Sequence, residues 1–228
     1  MARWRRQMRF EHRMARGDAR PVLVSEGDSW FQFPIFLEDV VDQLGAEFNI
    51  WSVDAAGDTL RNMVSASGEY LQALRRQRGR VRAFLFSGSG NDILGNDDEG
   101  RSQLLTIIRR FEAGRSPEWY LAGGEFDQRL REIDTGYRAL FESVATEFPG
   151  LPVICHGYDH AIPGGWPGDP RNPPWAAQDA WLGAPLRELG ISDPALQWDI
   201  VRLMINRLNQ RLRTLSGGNN EGGAYAHA

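Results

Sequence analysis

Short apolar runs alternate with longer amphipathic segments along most of the chain. The short runs are nearly continuous in Val, Ile, Leu and Phe, which is typical of strands buried on both faces of a parallel sheet. They predict strands at Val22–Ser25, Phe48–Val53, Val81–Phe86 and Leu151–Cys155. Because right-handed crossovers place the intervening helices on both faces of such a sheet, the pattern predicts a doubly wound, three-layer α/β/α sandwich.

The longer segments carry apolar side chains at helical spacing and begin or end at residues that cap helices. They predict helices over Phe36–Leu44 after Pro34, Leu60–Leu74 after Asp58, Leu130–Phe148, and Leu196–Leu215 between Asp193-Pro194 and Gly217. Two stretches interrupt the alternation. Residues 95–127 form an insertion with one short helix, and residues 157–177 form a proline-rich, lid-like loop that contains Trp166 and Trp175.

A basic segment precedes the first strand. Residues 1–20 contain seven Arg and two acidic residues, whereas the whole 228-residue chain has a net charge of −4. The sequence therefore predicts a basic, solvated and disordered N-terminal tail over 1–20, followed by one domain over 21–228. No apolar segment follows the arginines and no run is long enough to span a membrane, so we expect a cytoplasmic protein.

The composition excludes several classes of chemistry. All 26 basic residues are Arg, and the absence of Lys excludes a Walker P-loop, Schiff-base catalysis and a Ser-Lys dyad. The single cysteine, Cys155, cannot form an internal disulfide, so nothing in the chain requires an oxidising compartment.

Three polar clusters follow the first three predicted strands, namely Glu26–Trp30, Asp54–Asp58 and Ser87–Asp92. In open parallel sheets, ligands bind beyond the carboxyl ends of the strands. A Ser on a strand-to-helix turn offers both a nucleophilic hydroxyl and a backbone N–H. A Gly lets the backbone approach a ligand closely, and an Asn carboxamide adds a donor for a developing oxyanion.

At these residues the chain resembles the SGNH (GDSL-like) hydrolases. Gly27-Asp28-Ser29-Trp30 is similar to the block that carries the nucleophile, Gly57 to the second-block glycine, and Gly90-Asn91-Asp92 to the third block. The resemblance implies a flavodoxin-like parallel sheet and ester hydrolysis through an acyl-enzyme on Ser29. It also implies an oxyanion hole formed by the N–H groups of Ser29 and Gly57 and the Asn91 side chain, with no cofactor and no metal. Ser89 departs from the family, which usually has Gly there.

The family's C-terminal Asp-x-x-His block, which supplies the base, has no counterpart in this chain. The histidines are His12, His156, His160 and His227, and none follows an Asp by three residues. We therefore expect the natural protein to continue past Ala228 and the sheet to be incomplete at its C-terminal end. Without that base, we expect residues 1–228 to be a poor esterase. Within the chain, His160 beside Asp159 is a tentative substitute base, and a surface histidine is the competing interpretation.

Two other function classes stay open at this point. One is a catalytically silent SGNH-like module that binds a sugar or an acyl ligand in the same pocket. The other is a flavodoxin-like nucleotide or phosphate binder that uses the loop Ser87–Gly90. The favoured hypothesis is an SGNH-type carboxylic ester hydrolase acting on a small ester or acylated substrate, with neither a nucleic-acid partner nor a membrane span.

Overall fold

A computed structural model describes residues 3–33, 38–96, 99–164, 179 and 181–216 of the chain. The strands of the described part are β1 (Val22–Gly27), β2 (Asn49–Ser52), β3 (Val81–Ser87) and β4 (Val153–Cys155). Each lies at a predicted strand, so those four predictions are confirmed within a few residues at each end.

The helices of the described part precede, separate and follow these strands, and a π-helical segment (Asn62–Ser67) precedes the third helix. They are α1 (Arg3–Ala15), α2 (Val40–Leu44), α3 (Glu69–Arg76), α4 (Gly90–Leu94), α5 (Leu104–Ile107), α6 (Pro117–Tyr120), α7 (Glu125–Glu147), α8 (Gly183–Glu188) and α9 (Pro194–Leu215). The two long predicted helices are confirmed as α7 and α9. The predicted helix start at Pro34, the tryptophans Trp166 and Trp175, and the C-terminal segment from Gly217 lie outside the described residues.

The four strands form one parallel sheet in the order β2-β1-β3-β4. Val24 of β1 pairs with Trp51 on one side and with Phe84 on the other. This is the strand order of flavodoxin-like, doubly wound sheets, so the predicted fold class is confirmed. The order reverses between β1 and β3, and the crevice at that switch point is where such sheets bind ligands.

Helices cover both faces of the sheet. On one face, Leu23 and Leu85 belong to an apolar cluster that includes Val41 of α2. On the other face, Tyr70 of α3 stacks on Phe84 with ring centroids 5.5 Å apart, and Tyr137 of α7 packs edge-on against Phe86 at the same distance. Because successive strand residues point to opposite faces, these contacts form the three layers of the predicted sandwich.

The N-terminal segment differs from its prediction as a disordered tail. Residues 3–15 form α1, which packs along β2: Phe10 meets Trp51 edge-on at 5.4 Å, and Gln7 Nε2 donates to the Ser52 carbonyl at 2.8 Å. The helix buries Arg6 and Phe10, which lie four residues apart on one face. The helix is hard to predict from the sequence because one of its two buried positions is an arginine.

The chain divides into two compact units. One is built mainly from residues up to 92 and from 135–156, and it contains the sheet; the other comprises residues 93–134 and 157–214. Within the second unit, Asn209 of α9 holds the segment that follows β4. Its Nδ2 donates to the Tyr158 carbonyl at 2.7 Å, and its Oδ1 accepts the Tyr158 N–H at 2.9 Å.

None of the helices in the described ranges is long and apolar enough to cross a bilayer.

Candidate functional site

The three predicted polar clusters lie at the carboxyl ends of three neighbouring strands. Ser29 follows β1, Gly57 follows β2, and Asn91 lies in the first turn of α4 after β3. Since β1 lies between β2 and β3, the three loops leave the same edge of the sheet side by side. The sheet order therefore brings the three clusters to one end of the first unit, next to the switch point.

The turn that carries Ser29 is built around Asp28. The Asp28 N–H donates to the Ser87 carbonyl of β3 at 3.1 Å, and the Asp28 carbonyl accepts the N–H groups of Phe31 and Gln32 at 3.0 Å. The Asp28 side chain accepts the Trp30 N–H at 3.0 Å through Oδ1. Ser29 is half-buried at the bend, and its hydroxyl and N–H make no hydrogen bond with any residue that the structure describes.

Gly27, at the end of β1, fits where no side chain would. A Cβ atom at this position would lie 2.8 Å from the Phe31 ring and 2.8 Å from the Cβ of Ser87. Both contacts are shorter than real Cβ contacts, so a larger residue would displace the turn. Close packing against Phe31 and Ser87 therefore favours glycine at position 27, whatever the function of Ser29.

The loop after β2 places Gly57 in the left-handed region. Its φ is +83°, which favours glycine over any residue with a side chain. The loop is tied to β1 by the Ala55 N–H, which donates to the Gly27 carbonyl at 2.8 Å. Gly57 itself is exposed, and its N–H has no hydrogen-bond partner among the described residues.

The start of α4 is linked to the Gly57 loop and to the helix after it. Asn91 Nδ2 donates to the Asp58 carbonyl at 2.7 Å. The Asp92 carboxylate accepts the backbone N–H of Leu60 at 2.8 Å and that of Arg61 at 3.4 Å. Asp58 was predicted to cap this helix, but its carboxylate accepts the N–H of Thr59 instead, and Asp92 binds the next two N–H groups from another loop.

Ser89 has a strained backbone conformation. Its φ is +94°. Among the residues that the structure describes, Ser89 is the single non-glycine residue with a positive φ. The side chain is fully buried, and its Oγ has no hydrogen-bond partner among described groups. Ser87 and Gly88 are buried as well and Gly90 is half-buried, so this loop exposes little backbone to a bound phosphate.

Buried carboxyl groups surround the ends of β1 and β2. Burial, reinforced by the negative charges of Asp54 and Asp58, raises the pKa of Glu26 to about 9. Burial also raises the pKa of Asp54 to about 7, although hydrogen bonds from the hydroxyls of Ser52 and Ser25 and the charge of Arg6 oppose the rise. Glu26 is therefore a neutral acid at pH 7, which lets its carboxyl group stay buried beside Asp54.

Arg6 of α1 reaches into this acidic region, and sequence reasoning missed it. Its guanidinium hydrogen-bonds to the Asp42 carboxylate at 3.0 Å and lies 3.4 Å from Asp54 Oδ2. It also binds Asp39, the N-cap of α2, and donates to the carbonyl oxygen of Phe31 in the Ser29 turn. With 5% of its side chain exposed, Arg6 neutralises carboxylates that water does not reach.

His156 is the second site residue that sequence reasoning missed. It directly follows β4, and its Nε2 lies 2.8 Å from Ser87 Oγ. A serine within hydrogen-bond reach of a histidine resembles an activated nucleophile. Ser87, however, is 1% exposed and donates its proton to Asp28 at 2.9 Å, so it cannot meet a substrate.

His160, the tentative base, lies in the second unit. Its Nε2 is 2.8 Å from Asn206 Oδ1 of α9, and its ring meets Trp198 edge-on. The Asp159 carboxylate accepts the backbone N–H of His160 at 2.7 Å. The ring is thus oriented by a neutral carboxamide through Nε2, and Asp159 binds the main chain of the same residue.

Comparisons with known proteins give a likeness in structure but none in sequence. No protein-family model matches the chain, and no curated protein matches it. Among solved structures, the chain is similar to AlinE4, described as an SGNH-hydrolase family esterase, with 16% identity over 75% of this chain and 73% of that one and a TM-score of 0.36. A likeness of this size carries no inference about activity, which depends on the site residues themselves.

Proposed function

We propose that the protein is a serine ester hydrolase of the SGNH type, with Ser29 as the nucleophile. The observation that carries the proposal is the set of groups around the switch point. Ser29 offers a hydroxyl and an N–H, and Gly57 offers an N–H, with no competing partner among described residues. Asn91 offers the second hydrogen of an Nδ2 whose first hydrogen is bound to Asp58.

The proposed reaction has two steps. Ser29 Oγ attacks the carbonyl carbon of an ester, and its proton passes to a base as the tetrahedral intermediate forms. The Ser29 and Gly57 N–H groups and Asn91 Nδ2 stabilise the oxyanion. The alcohol leaves with a proton, and water then hydrolyses the acyl-enzyme by the same route in reverse.

His160 is only a tentative substitute for the base, and one substitution tests it. A serine hydroxyl is a weak nucleophile unless an adjacent group accepts its proton. His160→Ala should then abolish turnover of a short-chain ester without lowering the midpoint of urea unfolding, because the ring is a surface group bonded to Asn206. Turnover that survives the substitution would assign the base to another residue and leave Ser29 as the nucleophile.

Covalent labelling tests the nucleophile directly. A fluorophosphonate should modify the protein once, at Ser29, as located by peptide mass spectrometry. Ser29→Ala should remove the label, and Ser65→Ala is the matched control because Ser65 is an exposed serine on the π-helical segment. Labelling that persists in Ser29→Ala would contradict the proposal. Absence of any label, together with saturable binding of a sugar or an acyl ligand, would instead support the silent binding module.

A further inference from the structure

A chain of hydrogen bonds runs from the end of β4 to the residue before Ser29. His156 Nε2 lies 2.8 Å from Ser87 Oγ, and Ser87 Oγ lies 2.9 Å from Asp28 Oδ1. Ser87 and Asp28 are each 1% exposed, so water does not compete for these bonds. The chain is separate from the groups assigned to the proposed reaction, and it ends on the peptide that carries the nucleophile.

The direction of these bonds follows from their acceptors. Asp28 Oδ1 accepts the Trp30 N–H at 3.0 Å and the Ser87 hydroxyl at 2.9 Å, so this oxygen is the acceptor of both bonds. The Ser87 hydroxyl therefore donates its single hydrogen to Asp28. Its oxygen then accepts from His156, which must carry a hydrogen on Nε2.

His156 also contacts the residues that follow Ser29. Its ring centroid lies 6.1 Å from that of Trp30, in an edge-on arrangement, and 5.7 Å from that of Phe31. The imidazole is thus connected to the residue before Ser29 through hydrogen bonds and to the two residues after it through ring contacts. Asp28 links both sides, since it accepts the Trp30 N–H.

We infer that His156 is a positioning residue for the nucleophile turn and that it acts on Ser29 through Ser87 and Asp28. Loss of its Nε2 donor leaves the buried Ser87 oxygen short of a partner and removes the strengthening that one hydrogen bond gives the next in a chain. The Ser87–Asp28 bond, which helps to fix the bend of the turn, is then weaker. The effect on the reactivity of Ser29 rests on the proposed function, whereas the effect on the Asp28–Trp30 bond does not.

The test compares two substitutions of His156, one that removes the hydrogen-bond donor and one that removes the ring. His156→Phe keeps a ring against Trp30 and Phe31 but has no donor, whereas His156→Gln keeps an Nε2 donor that can reach Ser87 but has no ring. His12→Phe is the control, because His12 is exposed on α1. The readouts are hydrogen exchange of the Trp30 amide and the rate of fluorophosphonate labelling at Ser29. Unfolding midpoints are measured alongside to show that each variant is folded.

His156→Phe should speed Trp30 exchange and slow labelling at least about tenfold, since a displacement of about 1 Å can cost roughly 10²-fold in rate. His156→Gln should retain most of the protection of the Trp30 amide and most of the labelling rate at Ser29. His12→Phe should change neither quantity. Ser87→Ala breaks the same chain from its middle and should speed Trp30 exchange as His156→Phe does, which covers the case of a His156→Phe variant that does not fold.

Unchanged exchange and labelling in His156→Phe would overturn the inference. A His156→Gln variant as impaired as His156→Phe would overturn it too, because ring packing alone would then explain the effect. A wild-type chain that takes no label at Ser29 would contradict the proposed function instead. In that case, hydrogen exchange of the Trp30 amide alone would test the inference.

Discussion

The Nδ2 atom of Asn91 donates to the carbonyl oxygen of Asp58 at 2.7 Å, which ties the first turn of α4 to the loop that carries Gly57. A carboxamide is planar, so fixing one of the two hydrogens on Nδ2 also fixes the direction of the other. A donor held in this way needs no reorganisation when an oxyanion forms beside it, and such preorganised donors contribute most to stabilising the transition state.

Asn91→Ala should therefore lower the labelling rate at Ser29 and the kcat for a short-chain ester by roughly 10²-fold, with little change in KM. Asn62→Ala is a matched control. Its Nδ2 also donates to Asp58 at 2.7 Å, but it binds the exposed side chain and not the backbone. Steady-state kinetics on both variants check the expectation, and an unaltered kcat in Asn91→Ala would reduce Asn91 to a structural residue of the turn.

Ser89→Gly should stabilise the protein. A residue with a side chain at a φ of +94° costs about 1–3 kcal/mol, and glycine removes that strain at an entropic cost of about 0.5–1 kcal/mol. We expect the free energy of unfolding in urea to rise by about 1 kcal/mol. Ser89→Ala removes the buried hydroxyl but keeps the Cβ atom, so it should gain less. An alanine variant as stable as the glycine variant would show that the unpaired hydroxyl, and not the backbone, carries the cost.

Arg6→Met should be among the most destabilising single changes in the chain. It leaves the carboxylates of Asp39, Asp42 and Asp54 buried without their cation, and breaking a buried ion pair from one side costs about 3–5 kcal/mol. Arg9→Met, on the exposed side of the same helix, should cost under about 0.5 kcal/mol. Urea unfolding of both variants measures the loss of unfolding free energy in each. Equal losses would mean that Arg6 contributes no more to stability than a surface arginine.

Glu26 should make the protein less stable as the pH rises. Its pKa is about 9 in the folded protein against 4.5 when unperturbed, so the folded state holds a proton that the unfolded state has lost between these values. Stability from this group is complete below about pH 4.5 and is lost as the pH rises towards 9, at up to about 1.4 kcal/mol per pH unit.

Glu26→Gln removes the titrating proton and keeps the shape of the side chain. The unfolding free energy of this variant should fall less than that of the wild type between about pH 5 and pH 8. Glu142→Gln is the control, because Glu142 is an exposed carboxylate on α7. Parallel pH profiles for the wild type and Glu26→Gln would show that Glu26 stays ionised in the folded protein.

The sheet could be predicted because each strand is a nearly continuous apolar run, and burial on both faces leaves few other arrangements for such runs. The positions of Ser29, Gly57 and Asn91 followed from the same pattern, since each comes directly after a strand. The neighbourhood of Ser87 and His156 was missed because it depends on which strands pair. Phe86 pairs with Cys155, which places the next two residues, Ser87 and His156, side by side.

Arg6 could not be found from the sequence for a different reason. An arginine in a segment rich in arginine predicts a solvated surface, and its carboxylate partners are recognisable only once α1 is known to lie along β2. A weaker signal was present. Phe10 follows Arg6 by four residues, which puts both on one face of a helix, and that face is the buried one.

The contacts of Arg6 also bear on the order in which the protein is assembled. Its partners Phe31, Asp39 and Asp54 lie 25, 33 and 48 residues further along the chain, and β2 is complete before the last of them. The entropic cost of closing a loop grows only slowly with its length, and domains begin to form while synthesis continues. We therefore expect the first 54 residues to be able to close around the guanidinium while β3 is still being synthesised. The loops of Ser29 and Gly57 would then be placed early, and Asn91 would dock onto a surface that is already formed.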